Sequence, residues 1–340
     1  RNGGWDKELT GIWVSKFEAA YATSGENPNK APVKESSVVY TQESVWALKI
    51  ERQGVYPEET QEGSIPARNW LDGVYEVNKE KIKYPTFQGS SYSMNYLSLN
   101  DANNICKVLT EEGNIYGLST SDADSHLVKN SEWGACTYLA RDATYGIGNK
   151  EIAVNSKNLN NGGVSTTKEQ GNKKASAYAV TGYNSNNNEW NDYLDTNPSS
   201  STTGNIYGIY DISGGHWERA TGYINNGNFT NSISVVVGKD KSTKYATVYP
   251  HSDAEVNGDE RSKANYRLND KIYGDGIRET STEGIGTTSW NNDYSYYPEG
   301  GDSFFLRGGH CGHGSDAGLS AFVRANGGAA WYTGFRSVLI

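Results

Sequence analysis

The chain has 340 residues, a formal net charge of −9 and no run of basic residues. Phosphate neutralisation needs clustered Lys and Arg, so nucleic acid is not an expected partner. No stretch approaches the roughly 18 apolar residues of a membrane span. Hydrophobic residues make up 35% of the chain and aromatic residues 12%. Gly 39, Tyr 24 and Trp 9 against Met 1 read as a loop-rich chain whose core is built from few, large side chains. The chain begins at Arg1 rather than Met, and we expect a processed or truncated piece, with any export signal or anchor outside it.

Residues 10–18 read as a strand ending near Glu18. Residues 19–80 are polar and punctuated by Pro28, Pro32, Pro57 and Pro66, which predicts an elaborated loop. Ser98 opens a helix as N-cap, with Asp101 three residues on in capping-box spacing. Ala102, Ile105, Cys106 and Leu109 then share a face. Asn130 caps a second predicted helix, with Trp133, Cys136 and either Leu139 or Ala140 facing inward. Residues 145–206 and 225–300 read as two further insertions. The first holds Asn184-Ser185-Asn186-Asn187-Asn188 and Ser199-Ser200-Ser201-Thr202-Thr203; the second carries apolar islands such as Ile233-Ser234-Val235-Val236-Val237. Tyr207 to Glu218 reads as a short strand entering a Gly214-Gly215 turn. Trp217 is the expected core anchor there, and Glu218 is expected to cap a turn or to accept backbone N–H bonds.

The last residues are arranged as a frame around an irregular middle. Arg307-Gly308-Gly309 opens the segment and Gly334-Phe335-Arg336 closes it before a final strand carrying Val338 and Leu339. Residues 310–333 follow neither a helix nor a strand period. Cys106 and Cys136 read as small buried residues on helix faces, and a disulfide between them stays open at this level. No metal site and no cofactor are predicted: no Cys-x-x-Cys or His-x-x-x-His pair exists.

Several of these segments, taken in order, carry a resemblance. They are Gly11-Ile12-Trp13-Val14-Ser15-Lys16-Phe17-Glu18, Asp101-Ala102-Asn103-Asn104-Ile105-Cys106, Glu132-Trp133, the stretch from Tyr207 to Glu218, and the C-terminal frame. The set resembles the formylglycine-generating enzyme and sulfatase-modifying family, a branch of the C-type lectin-like folds. The resemblance touches 11–18, 98–109, 126–140, 207–218 and 304–340, and the stretches between do not match. It implies an α+β fold with two helices packed on small twisted antiparallel sheets, in a single elaborated domain over 1–340. The oxidase branch needs two reactive thiols after the Arg-Gly-Gly turn. Here His313 stands where the first falls, Cys311 is displaced from that position, and no second Cys follows. A lone thiol cannot cycle through a disulfide, so enzyme activity is not expected. His126, His216 and His251 do not form the ligand set of the iron-dependent branch. A calcium-lectin reading rests on Trp190-Asn191-Asp192 alone, too few oxygens for that ion.

The ending is more similar to the variable proteins of diversity-generating retroelements. Arg307-Gly308-Gly309, Gly314-Ser315-Asp316-Ala317-Gly318-Leu319 and Gly334-Phe335-Arg336 carry that resemblance. In that family, adenine-directed errors rewrite the gene's 3′ end, which cannot turn an Asn codon into Lys, Glu, Gln, Met or Trp. Residues 310–333 contain none of the first four, and Trp331 is the one exception. The resemblance implies a non-enzymatic receptor-recognition protein, outside a bacterial cell or on a phage particle, binding a protein or glycan. Its variable positions are expected at His310, Cys311, His313, Asp316, Ser320, Val323, Ala325, Ala329, Trp331 and Tyr332, on one exposed surface within 307–340. Trp133, Trp217, Arg307, Gly308, Gly309, Gly334, Phe335 and Arg336 are the expected structural frame, with Leu306, Leu319 and Phe322 holding the backbone. The alternatives are an enzyme of the formylglycine-generating fold or a diverged calcium-dependent lectin.

Overall fold

A computed structural model of the chain describes residues 11–21, 75–77, 80–82, 85–87, 89, 93–94, 97–110, 112, 116–156, 179, 181–184, 189–190, 198–226, 245–328, 330 and 332–340. Pro28, Pro32, Pro57, Pro66, 185–188, Asn191, Asp192, 233–237, Ala329 and Trp331 lie outside the described residues.

In chain order the elements are β1 (Trp13–Val14), β2 (Ala20–Tyr21), β3 (Tyr75–Val77), β4 (Glu80–Ile82), β5 (Pro85–Thr86), α1 (Leu99–Lys107), β6 (Ser125–Leu127), α2 (Asn130–Arg141), β7 (Tyr183–Asn184), β8 (Glu189–Trp190) and β9 (Trp217–Ile224). Then come β10 (Thr247–Tyr249), α3 (Gly258–Leu268), β11 (Ile285–Gly286), β12 (Ser295–Tyr296), β13 (Phe304–Arg307), β14 (Phe322–Ala325), β15 (Thr333–Gly334) and β16 (Ser337–Leu339). The fold is mixed α+β.

The first helix starts as its sequence predicts. The Ser98 backbone N–H donates to the Asp101 carboxylate at 3.1 Å, and the Asp101 N–H donates to the Ser98 hydroxyl at 3.2 Å. These bonds satisfy donors that a helix start leaves open. The second helix departs by one residue. Lys129, not Asn130, stands at its N-cap, and the Lys129 backbone N–H donates to Glu132 at 2.9 Å. Asn130 turns inward instead, donating to the Tyr249 hydroxyl at 3.1 Å. Ala140 is buried while Leu139 is 59% exposed. The third helix, α3, falls where a loop insertion is expected. Its buried positions are Ser262, Asn265 and Tyr266, so polar residues carry most of its inward face.

The sheets are not all antiparallel. One small sheet, ordered β1-β16-β6, brings the first strand against the last, with Val14 opposite Val338. The large sheet runs β10-β9-β13-β14-β12-β11, and β15 also pairs with β9. Within it β10–β9, β12–β14 and β15–β9 are parallel, which long connections between these strands permit. The expected first strand contracts to Trp13–Val14, and Phe17 to Ala19 follow as buried irregular chain before β2.

Among the described residues two large clusters contribute to the core. Val128, Trp133, Cys136, Ala140, Ile212, Ala220, Leu319 and Val338 fill one, beneath α2. Tyr249, Tyr266, Tyr297, Phe305 and Phe322 fill the other with edge-to-face and tilted ring contacts. Such contacts add to burial what a chain short of aliphatic residues lacks. Cys106, Cys136 and Cys311 are all free and buried, so no disulfide joins the first two.

Candidate ligand-binding face

The C-terminal segment is held by two glycine turns that bind each other. Gly308 and Gly309 have φ of 87° and 82°, a region that side chains with a Cβ rarely adopt. A Cβ on Gly308 would also sit 3.0 Å from the Ile212 carbonyl oxygen. The Gly214 N–H donates to the Gly308 carbonyl at 3.0 Å, and the Cys311 N–H donates to that of Gly215 at 2.9 Å. Gly334 serves differently: its φ is ordinary, but a Cβ there would meet Glu18 Oε2 at 2.9 Å.

Buried arginines anchor both ends. Arg336 is fully buried. Its Nε donates to Glu218 at 2.6 Å, and its terminal nitrogens donate to the Ser15 and Tyr210 carbonyls at 3.0 Å each and to the second Glu218 oxygen. Glu218 is therefore a partner for a cation rather than a turn cap. Glu18 and Asp211 stand near the same guanidinium. Burial, then repulsion from Asp211 and Glu218, pushes the Glu18 carboxyl well above the usual range. Burial also raises Glu218, to about 7. At the other end Arg307 donates to the Ala321 carbonyl at 3.3 Å, the Asn130 side chain at 3.3 Å and the Asp275 carbonyl at 3.0 Å. Trp133 is near both guanidiniums, 5.5 Å from Arg307 and 5.8 Å from Arg336, with its indole N–H on the Leu319 carbonyl. Leu306, Leu319, Phe322 and Phe335 are buried.

Between these anchors the segment forms a ledge. Trp217, Leu306 and Ala321 make its floor, and Tyr294, Val323, Ala325 and Tyr332 pack half-buried upon it. His313 meets Trp217 edge-on with ring centroids 5.2 Å apart and lies against His310 at 3.7 Å with the rings tilted by 31°. His310 in turn stands 6.3 Å from Tyr332, and Tyr294 stands 6.4 Å from His313 and 6.5 Å from Tyr296. Burial, then repulsion from His313 and His216, lowers the His310 pKa to about 3; burial lowers His313 too. Both imidazoles are neutral at pH 7. Burial raises the phenols of Tyr294, Tyr296 and Tyr332, so these rings are also uncharged.

His310, His313, Val323, Ala325 and Tyr332 thus come together, with Asp316 at the margin where its charge reaches His313 and Tyr294. Two expected members are not on an exposed surface. Cys311 is 4% exposed, because its N–H bond to Gly215 turns it under the segment, and burial pushes its thiol far up. Ser320 is fully buried where its N–H donates to Asp293 at 2.8 Å. A side chain buried in this way is not one whose substitution is neutral. Tyr294 and Tyr296 were not anticipated. Their signal is the alternation Tyr294-Ser295-Tyr296-Tyr297, in which Ser295 and Tyr297 are the buried pair.

His216 and Glu218, adjacent but one, do not form an acid–base pair. The His216 ring lies 4.0 Å from Glu18, and Glu218 is engaged by Arg336. Among the described residues no three His, Cys, Asp or Glu side chains are grouped to hold a metal. No helix among them is long and apolar enough to cross a membrane. No protein-family model matches this chain, and no curated protein matches it.

Proposed function

We propose that the chain is a non-enzymatic ligand-binding protein with a single, elaborated C-type lectin-like domain. In this reading its C-terminal segment is a variable recognition surface of the retroelement-diversified kind, displayed outside a bacterial cell or on a phage particle. One observation carries it: the half-exposed side chains of His310, His313, Val323, Ala325 and Tyr332 sit over a floor that they do not themselves build. The segment's backbone is fixed by the Gly308–Gly214 contact and by Arg307 and Arg336, all outside the ledge. Side chains relieved of core duty are free to vary, and loops on a rigid scaffold are where binding residues concentrate. The buried, protonated Cys311 supports the non-enzymatic reading, because the thiolate is the reactive form.

The test is simultaneous replacement of His310, His313, Val323, Ala325 and Tyr332 by other residues. Melting and binding to arrayed bacterial surface proteins and glycans are then compared with the parent. Retained melting with a changed binding profile is expected. Loss of folding, or an unchanged profile, overturns the reading. Sequencing beside the gene checks the retroelement: a reverse transcriptase gene and an imperfect repeat of this gene's end are expected there.

A further inference from the structure

Resting on that reading, we infer that the ledge recognises a basic protein surface, taking an Arg or Lys side chain onto its aromatic rings. The first reason is what the ledge presents. His310, His313, Tyr294, Tyr296 and Tyr332 offer uncharged π systems gathered by ring contacts, with centroid separations of 3.7 Å for His310–His313, 6.3 Å for His310–Tyr332, 6.4 Å for Tyr294–His313 and 6.5 Å for Tyr294–Tyr296. A cation over a ring face is attracted by the ring quadrupole, and more strongly where the ring is partly desolvated.

The second reason is the charge around it. Asp316 acts on His313 and Tyr294, Asp302 on Tyr332, and Asp259 on Tyr294 and Tyr296. Glu299 adds a fourth carboxylate beside Arg324. Against these stands Arg324, already bound to Glu299 and 3.6 Å from Asp302. Arg219 lies underneath, fully buried, and is spent on the Leu97 carbonyl and Thr333 hydroxyl at 3.0 Å each and on the Gly328 carbonyl. The described rim is therefore acidic, as the chain's net charge of −9 is. An acidic ligand would meet repulsion here; a basic one meets complementary charge.

The third reason is internal. Arg324 lies 4.1 Å from the Tyr296 ring while engaging Glu299 and Asp302. The protein thus already holds one guanidinium in the way the ledge would hold another, with Tyr332 and His310 as rings and the 41%-exposed Asp302 as acid. Arg is the better fit than Lys, because its planar head stacks and forks at once.

Fluorescence anisotropy with labelled nona-arginine at physiological salt tests this, with nona-glutamate and a labelled neutral maltooligosaccharide alongside. Two ledge variants are compared: Asp302→Asn with Asp316→Asn, and His310→Ala with Tyr332→Ala. Asp122→Asn with Asp270→Asn removes equal charge from exposed positions elsewhere. Nona-arginine is expected to bind, to weaken about tenfold in each ledge variant, and to change less than twofold in the control. Equal weakening in the control, or no binding of nona-arginine, overturns the inference. If the glutamate peptide or the oligosaccharide binds instead and the ledge variants abolish it, the basic partner is wrong while the ligand face stands. If folded ledge variants alter no probe and the five-residue replacement leaves the array profile unchanged, both fall. Circular dichroism melting confirms that each variant is folded. Tyr332→Phe, which keeps the ring, is expected to retain nona-arginine binding.

Discussion

Arg336 and Arg324 are both stacked near an aromatic ring and both paired with carboxylates, yet they belong to different parts of the molecule. Arg336 is fully buried, with Glu218 and two backbone carbonyls accepting its hydrogen bonds. Arg324 keeps 21% of its side chain in solvent beside Glu299 and Asp302. The difference teaches what each region is for. A buried guanidinium tolerates no alternative geometry, because any lost partner leaves a charge without solvent. A rim guanidinium costs little to rearrange, because water replaces whatever it loses. The frame therefore specifies one backbone path, and the ledge leaves its side chains open to change.

Breaking the frame has the largest expected effect. Glu218→Ala strands Arg336 in the core, and the expected loss is about 3–5 kcal/mol in urea unfolding. A loss below about 1 kcal/mol would mean that Glu18 or Asp211 takes over the guanidinium. Trp217→Ala is expected to cost about 3–5 kcal/mol as well, by emptying the floor under Tyr294 and Tyr332. It sharpens the comparison, because Trp217 belongs to both regions: stability and ligand binding fall together there. Near-parent melting would show that the floor is not a core.

Cys311→Ser comes next. The buried thiol behaves as a small hydrophobe, and a hydroxyl in its place loses solvent without a prepared partner. The expected cost is about 1–3 kcal/mol. A neutral result would return Cys311 to the exposed set that its sequence position implied.

The features that the sequence shows plainly are local ones. Ser98 and Asp101 are three residues apart, and their bonds lie within one helical turn. Trp133 and Cys136 share a face by helical spacing alone. What joins Glu218 to Arg336 spans 118 residues, and nothing in either neighbourhood names the other. The parallel pairing of β15 with β9 is hidden for the same reason. Helix α3 escapes hydrophobic periodicity because Ser262 and Asn265 occupy its inward face: Asn265 donates to the Pro298 carbonyl at 2.9 Å and accepts from the Ser252 N–H at 2.8 Å. In the ledge, the frame motifs at both ends are visible, and so are His310, His313 and Tyr332. The inward turn of Cys311 and Ser320 is not, since it depends on Gly215 and Asp293, distant in sequence.

A smaller effect separates the regions by pH. The His310 pKa is depressed in the folded protein by burial and by His313 and His216. The folded state then binds fewer protons than the unfolded one as pH falls below the ordinary imidazole value. The stabilisation from neutral His310 is present above pH 6.5 and lost progressively as pH falls from there towards about 3. One proton bounds the slope at about 1.4 kcal/mol per pH unit, and partial exposure cuts it below that. His310→Gln should flatten the acid limb of the melting curve. An unchanged limb would assign acid sensitivity elsewhere.

The smallest expected effects are the ones that test the ledge as a ledge. Val323 and Ala325 lie on β14, whose backbone is held by β13 through the pairs Leu306–Val323 and Phe304–Ala325. Both side chains are half-buried and rest on Trp217, Leu306 and Ala321 without building that floor. The backbone bonds do not depend on which side chain stands there, and β-branched polar residues suit a half-exposed strand. Val323→Thr and Ala325→Thr are therefore each expected to shift stability by no more than about 0.5 kcal/mol. They should add within about 0.5 kcal/mol if each rests on the floor independently of the other. The same exchange made beneath the ledge, Ala321→Thr, inserts volume where Trp217 and Leu306 already pack, and overpacking costs about 1–3 kcal/mol. Equal responses at 321, 323 and 325 would erase the boundary between floor and ledge. An ordering in which only position 321 responds strongly would place that boundary at the start of β14.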